Sequence, residues 1–219
     1  MPKHFVAMPA VVLAACLIWV PACAQADRNP VPGSVPTRLA EAQANPKLAD
    51  TLLRTGRKVA AVCANCHGEG GNSVRPEVPN LAGQNTAYLV EQMRQFGDGL
   101  RRNEFMQGMI RAMSTDEKVG MALFYSQQTV RPGQGADASL LAQGEMLFQK
   151  ICFRCHGNDG HGNEKIARIA GQQGAYLSAT LRRYRTGSGD RVNEQMADNT
   201  RLLSDANLDA IVAYVASMK

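Results

Sequence analysis

Two stretches of this chain place cysteine and histidine at a spacing that can do chemistry. The first is Cys63-Ala64-Asn65-Cys66-His67 and the second is Cys152-Phe153-Arg154-Cys155-His156. Two thiols three positions apart sit on one turn of helix and can each add to one vinyl group of a single porphyrin. The histidine that follows is then held under the iron as an axial ligand. Cys-x-x-Cys-His is the attachment signature of c-type haem, and two copies predict two covalent haems, at Cys63 and Cys66 and at Cys152 and Cys155, with His67 and His156 as iron ligands.

A low-spin electron carrier needs a second strong ligand on each iron. Methionine suits a high potential, because its thioether stabilises ferrous iron. The chain has 10 Met, and a methionine is otherwise ordinary core filler. The repeat selects among them. Asn103-Glu104-Phe105-Met106 and Asn193-Glu194-Gln195-Met196 share one phrase, and the two Met lie 39 and 40 residues after their histidines. Met109 and Met113 correspond to Asn199 and Leu203, so neither has a counterpart. Met106 and Met196 are therefore the expected sixth ligands, in loops between helices. His161, in Gly160-His161-Gly162, reads as an exposed loop residue.

The elements that must position these groups also come twice. Asn45-Pro46 is a cap followed by a first-turn proline. Leu48, Leu52, Val59 and Val62 then form an apolar stripe leading into the first pentad. In the second copy Asp137 can cap, and Leu140, Leu141, Leu147, Phe148 and Ile151 lead into the second pentad. Gly56 and Gly144 interrupt these helices, which predicts a close crossing by another helix. The copies realign at Leu81-Ala82-Gly83-Gln84 and Ile169-Ala170-Gly171-Gln172. Amphipathic helices follow around Tyr88, Leu89, Met93 and Phe96 and around Tyr176, Leu177, Leu181 and Tyr184, with stops at Gly97 and Gly187. Final helices begin at a Ser114/Glu117 capping box and at Ser204-Asp205. No strand pattern appears. Pro79 is expected to shape a turn whose carbonyl orients His67. Ala167 stands at the matching place, which predicts inequivalent haem environments.

Composition limits the alternatives. Aromatic residues make up 5% of the 219, and the single Trp is Trp19. Two haems would supply the apolar bulk such a core lacks. Residues 1–26 read as a secretory signal: Lys3 and His4, an apolar run from Val11 to Val20, then Ala22-Cys23-Ala24 as a cleavage site. A lipid anchor at Cys23 is disfavoured by Pro21. With the signal removed, every remaining cysteine belongs to a pentad. The net charge of +5 is spread as +1 over residues 1–44, +2 over 45–130 and +2 over 131–219. No basic run or aromatic platform points to nucleic acid, and saturated iron has no place for a small-molecule substrate. A zinc site is disfavoured because 85 residues separate the two Cys pairs. A peroxidase or gas-binding protein would need one open iron, against which the matched Met pair argues.

With these motifs in place, the chain resembles the dihaem class I c-type cytochromes of the cytochrome c4 family. The resemblance covers residues 46–219. It rests on Cys-x-x-Cys-His-Gly, Gly71-Asn72, Pro79 to Gln84, Tyr88-Leu89 and the Met phrase, and on their second-half matches at Cys152 to Gly157, Gly162-Asn163, Ala170-Gly171-Gln172, Tyr176-Leu177 and Met196. It departs at Ala167 and at the extra His161. The resemblance implies an all-α fold of two tandem class I cytochrome c domains, each of about three to four helices around one covalent haem. The expected organisation is a signal peptide over 1–26, a Pro-rich segment over 27–45 that is a tether or a strap, a first domain over 46–125, a linker over 126–138 and a second domain over 139–219. It also implies a periplasmic one-electron carrier, soluble or loosely membrane-associated, between a quinol-oxidising cytochrome bc complex and a terminal oxidase. The alternative is a dihaem subunit of a periplasmic dehydrogenase such as a flavocytochrome.

Overall fold

The computed structural model describes Met1 and residues 33–132, 137–189, 191 and 193–219. The expected signal peptide beyond Met1, and Cys23 with it, lies outside the described residues. Helices α1 (Val35–Ala44), α2 (Pro46–His67), α3 (Thr86–Gly97), α4 (Glu104–Ala112) and α5 (Thr115–Ser126) build the first domain. The second is built from α6 (Leu141–Leu147), α7 (Phe153–His156), α8 (Gly174–Thr186), α9 (Glu194–Thr200) and α10 (Asp205–Ser217). Among the described residues there is no strand, only one isolated antiparallel bridge joining Arg101 to Arg191 across the two domains.

In each domain the pentad-bearing helix crosses the final helix at a glycine. A methyl group on Gly56 would lie 2.0 Å from both the carbonyl carbon and oxygen of Gly120. One on Gly144 would lie 2.1 Å from the Ala210 carbonyl oxygen. The mid-helix glycines are thus the price in propensity, about 1 kcal/mol each, of bringing two backbones into contact. Around the first crossing Leu52, Val119, Ala122 and Tyr125 are buried; around the second, Phe148, Leu208, Ile211 and Val215. Val62, expected on the buried stripe, is 56% exposed, because it falls one position off the face that meets α5.

The two pentad helices are built differently. The helix α2 runs unbroken for 22 residues. Its counterpart is a 3₁₀ turn (Ala138–Leu140), α6, a π-turn (Phe148–Cys152) and α7. The cause is visible in the chain. Seven positions separate Gly56 from Cys63, but eight separate Gly144 from Cys152. A π-turn absorbs one extra residue without leaving the helix axis, so the glycine crossing and the pentad both keep their places.

The described residues just before α2, 33–45, form a strap over the first domain. Ser34 caps α1, accepting from the Thr37 N–H, and Pro36 sits in its first turn. Leu39 and Ala42 are buried in the first core. Arg38 holds the strap to α5, its Nε donating to Asp116 Oδ1 at 2.7 Å and its Nη2 to Oδ2 at 3.2 Å.

Candidate functional site

Each pentad ends its helix at a glycine of positive φ, Gly68 at 74° and Gly157 at 78°. A side chain at Gly68 would strike the Asn72 carbonyl at 1.9 Å, so the sharp exit needs glycine. The chain then returns to meet the histidine. His67 Nδ1 donates to the Pro79 carbonyl at 2.9 Å, and His156 Nδ1 donates to the Ala167 carbonyl at 2.9 Å. A peptide oxygen only accepts, so the proton is on Nδ1 and the Nε2 lone pair is left for a metal. The equal lengths show that proline is not needed to present the carbonyl. The inequivalence expected from Ala167 is therefore not found in this bond.

Both histidines are held neutral. Burial pushes the His67 imidazole down, the Pro79 carbonyl opposes it, and the Arg101 charge adds to the fall. His156 follows the same pattern with Ala167 and Arg191. The thiols move the other way. Burial, and then Cys155, raises Cys152 to about 11, and burial also raises Cys63. All four are free of disulfides, and the two pairs stay in separate domains rather than converging on one tetrahedral centre.

Met106 and Met196 lie in helices, not in the loops expected. Each is the third residue of a short helix capped by the matched asparagine. Asn103 Oδ1 accepts from the Met106 N–H, and Asn193 Oδ1 accepts from the Met196 N–H, both at 2.9 Å. The shared Asn-Glu phrase is thus an N-cap with an acidic first turn, which fixes the Met backbone identically in both domains. Both side chains are half-buried. The pentad and the Met come from different helices: α2 packs on α5 while α4 packs on α3, and α9 packs on α8. Helix α3 ends at Gly97, as expected, with the positive φ of 73° taken two residues later by Gly99. Gly187 does end α8 in the left-handed conformation.

A difference between the domains appears elsewhere. The Gly83 N–H donates to the Tyr125 carbonyl, and the Gly171 N–H to that of Val215, so Tyr125 and Val215 are structural equivalents. The Tyr125 hydroxyl is buried without a hydrogen-bond partner. Burial first and then the Cys63 thiol raise its pKa. It faces the attachment cysteine of the first pentad only.

Where the domains meet, Arg101 donates to Gln92 Oε1 and to the Tyr176 hydroxyl, each at 2.9 Å. Arg191 donates to Gln92 Oε1 at 3.0 Å and to the Tyr88 hydroxyl. No carboxylate is paired with either guanidinium among the described residues. Burial pushes the Tyr176 phenol up, but the two arginines outweigh it and draw it down. Two half-buried cations sharing only neutral partners suit an anionic group such as a propionate. With thiols one turn apart, a neutral imidazole offering Nε2 and a half-buried Met in each domain, the residues present fit two haem c groups.

Sequence reasoning did not identify the residues that join the domains. Gln84 donates to the Arg168 carbonyl and accepts from its N–H, each at 2.8 Å. Gln172 does the same to Asn80, at 3.0 and 2.7 Å. The available signal was a polar residue repeated unchanged at the end of Ala-Gly-Gln. His161 is half exposed, with Nδ1 facing Asp159 and Nε2 at 3.1 Å from the C-terminal Lys219 oxygen.

A sequence model described as cytochrome c matches residues 53–128 and again 141–219. Cytochrome c4 of Pseudomonas aeruginosa is 34% identical over 175 residues, covering 74% of this chain and 87% of that protein. A thiosulfate dehydrogenase electron acceptor of Thiomonas intermedia is 31% identical over 172 residues, covering 72% of this chain and 79% of that protein. The solved structure of reduced recombinant cytochrome c4 from Pseudomonas stutzeri superposes with a TM-score of 0.70 at 31% identity, over 76% of this chain and 98% of that one. The repeated pentads, the all-helical pair of domains and these likenesses agree: the chain belongs to the cytochrome c family, as a dihaem electron carrier of the cytochrome c4 type.

Proposed function

We propose that His67 with Met106, and His156 with Met196, are the axial ligands of the two haems, attached through Cys63 and Cys66 and through Cys152 and Cys155. The observation that carries this is the matched pair of asparagine caps, each fixing a half-buried Met at the same turn of its helix. Haem iron supplies a reversible one-electron couple when bound. The chain holds each histidine neutral with its donor nitrogen free and packs a small apolar core beside it; with Met106 and Met196 also bound, no coordination position would be left vacant. The domains are taken as residues 46–125 and 139–219, with α1 strapped to the first.

We infer that the protein works in the periplasm, passing single electrons from a quinol-oxidising cytochrome bc complex to a terminal oxidase. Its likeness to cytochrome c4 supports this reading. No helix among the described residues is long and apolar enough to cross a membrane. A second reading, electron acceptor for a periplasmic dehydrogenase, is favoured by the likeness to a protein named for accepting electrons from thiosulfate dehydrogenase.

The test of the ligands is a spectroelectrochemical titration of the haem-loaded protein with and without carbon monoxide. Two high-potential, carbon-monoxide-insensitive steps are expected. Met106→Ala and Met196→Ala should each make one haem bind carbon monoxide and lower its potential. A parent protein with one carbon-monoxide-sensitive haem overturns a Met assignment. Reduction rates with a purified bc complex, set against those with a thiosulfate dehydrogenase, separate the two physiological readings.

A further inference from the structure

The cross-domain glutamines do more than join surfaces. The Pro79 carbonyl that accepts from His67 and the Asn80 N–H that donates to Gln172 belong to one peptide unit. The Ala167 carbonyl that accepts from His156 and the Arg168 N–H that donates to Gln84 likewise share one peptide. In a trans peptide the C=O and N–H point in opposite directions. Each site is therefore a line of hydrogen bonds: imidazole, peptide, then the amide oxygen of a glutamine from the other domain. The distances are 2.9 and 2.7 Å in the first domain and 2.9 and 2.8 Å in the second. Gln84, Gln172 and Asn80 are buried, and each bond in the line is direct, from one protein group to the next.

We propose that Gln172 tunes the proximal histidine of the first-domain haem, and Gln84 that of the second, each acting through the shared peptide. Both are positioning residues. This rests on His67 and His156 being the iron ligands. An acceptor on the N–H polarises the peptide and makes its carbonyl more negative, and bonds in such chains strengthen one another. A more negative carbonyl draws on the Nδ1 proton and makes the imidazole a stronger donor. That favours ferric iron and lowers the potential. The arrangement is reciprocal, so a shift in how the domains dock alters both irons together.

The test is a pair of single variants in the haem-loaded protein, Gln172→Met and Gln84→Met, which keep length and lose the acceptor. Two readouts are taken. One is the pair of midpoint potentials. The other is the Nδ1–H resonance of each proximal histidine in the ferrous protein, after ¹⁵N-histidine labelling. Gln172→Met should move the His67 signal upfield and raise the first-domain potential, leaving His156 and its haem unchanged. Gln84→Met should do the reverse. The expected size is a two- to threefold change in the oxidised-to-reduced ratio at fixed poise, about 18–28 mV at 59 mV per tenfold.

Signals and potentials that move in both domains at once, or in neither, overturn the proposal and leave the glutamines as docking contacts. A crosswise NMR shift with no change in potential also overturns the tuning, and places the fault in the ligand assignment instead. Should a Met variant fail to fold, Gln172→Glu and Gln84→Glu keep both length and the accepting oxygen and are read the same way. The added negative charge should move the opposite histidine signal downfield and lower that haem's potential; no crosswise change overturns the proposal.

Discussion

The helix crossing at Gly56 gives the sharpest stability prediction. In Gly56→Ala the new methyl lies 2.0 Å from the Gly120 carbonyl carbon and oxygen and 2.6 Å from the Met121 nitrogen. Non-bonded carbon atoms rest at about 3.5–4.0 Å, so α2 and α5 must part by roughly 1.5 Å. All three obstacles are backbone and cannot rotate away. Overpacking costs about 1–3 kcal/mol, and immovable neighbours place this case at the upper end. Alanine returns about 1 kcal/mol of helix propensity, leaving a net loss of about 2 kcal/mol. For a domain of this size that corresponds to a fall of roughly 8–16 °C in the thermal midpoint. The control is Gly97→Ala, in α3, where a methyl meets nothing within 4 Å. It should gain up to about 1 kcal/mol. The assay is far-ultraviolet circular dichroism of the haem-loaded protein during guanidinium and thermal unfolding. If Gly56→Ala is as stable as the parent while Gly97→Ala gains, the two helices do not cross at this distance and the reasoning fails.

Three further outcomes are expected. Leu39→Ala removes a buried anchor of the strap and should cost about 2–3 kcal/mol in the same unfolding assay; a change below about 0.5 kcal/mol would mean that α1 does not pack on the first domain. Tyr125→Phe deletes a buried hydroxyl that has no partner, so stability should hold or rise by about 1 kcal/mol, with any change in potential confined to the first-domain haem. A clear loss of stability would show that the hydroxyl is bonded in the haem-loaded protein. Glu117 accepts from the Ser114 N–H in the capping box, which holds its carboxyl below the ordinary 4.5. On acidification the unfolded chain takes up this proton first. The stabilisation is therefore complete above the ordinary value and drains away as pH falls through the lower folded one. Glu117→Gln should flatten that part of the acid-unfolding profile, and an unchanged profile would remove the box from the account.

Much of this architecture is legible in the chain because it depends on local signals. Asn45 caps α2, and Ser114 with Glu117 caps α5, as their spacing requires. Gly56 and Gly144 mark the crossings because nothing else explains a glycine there. The Asn-Glu phrase is visible as a repeat, but the helix it caps is not, since a nine-residue helix has too few turns to show a period. The strap α1 is equally short and is held by burial of Leu39 and Ala42 rather than by its own propensity. The π-turn needed the two Gly-to-Cys spacings to be compared. The glutamine contacts link positions 84 and 92 apart, through geometry that no local pattern carries. The asymmetry expected at Ala167 arises instead at Tyr125, for a related reason: a carbonyl is presented by the backbone whatever the side chain, while a hydroxyl is not.

The reciprocal glutamine contact also bears on the origin of the chain. Gln84 reaches the Arg168 peptide as Gln172 reaches that of Asn80, so the face is isologous, the same patch meeting itself about a twofold axis. A one-haem ancestor carrying it would have been competent to form a symmetric homodimer. Fusing two copies through a short linker replaces dependence on protein concentration with an effective concentration on the order of millimolar. A contact of only about 4 kcal/mol then suffices to keep the halves docked half of the time. Association too weak to hold separate subunits together in dilute solution becomes adequate within one polypeptide, and each half is left free to diverge, as Tyr125 and Val215 have.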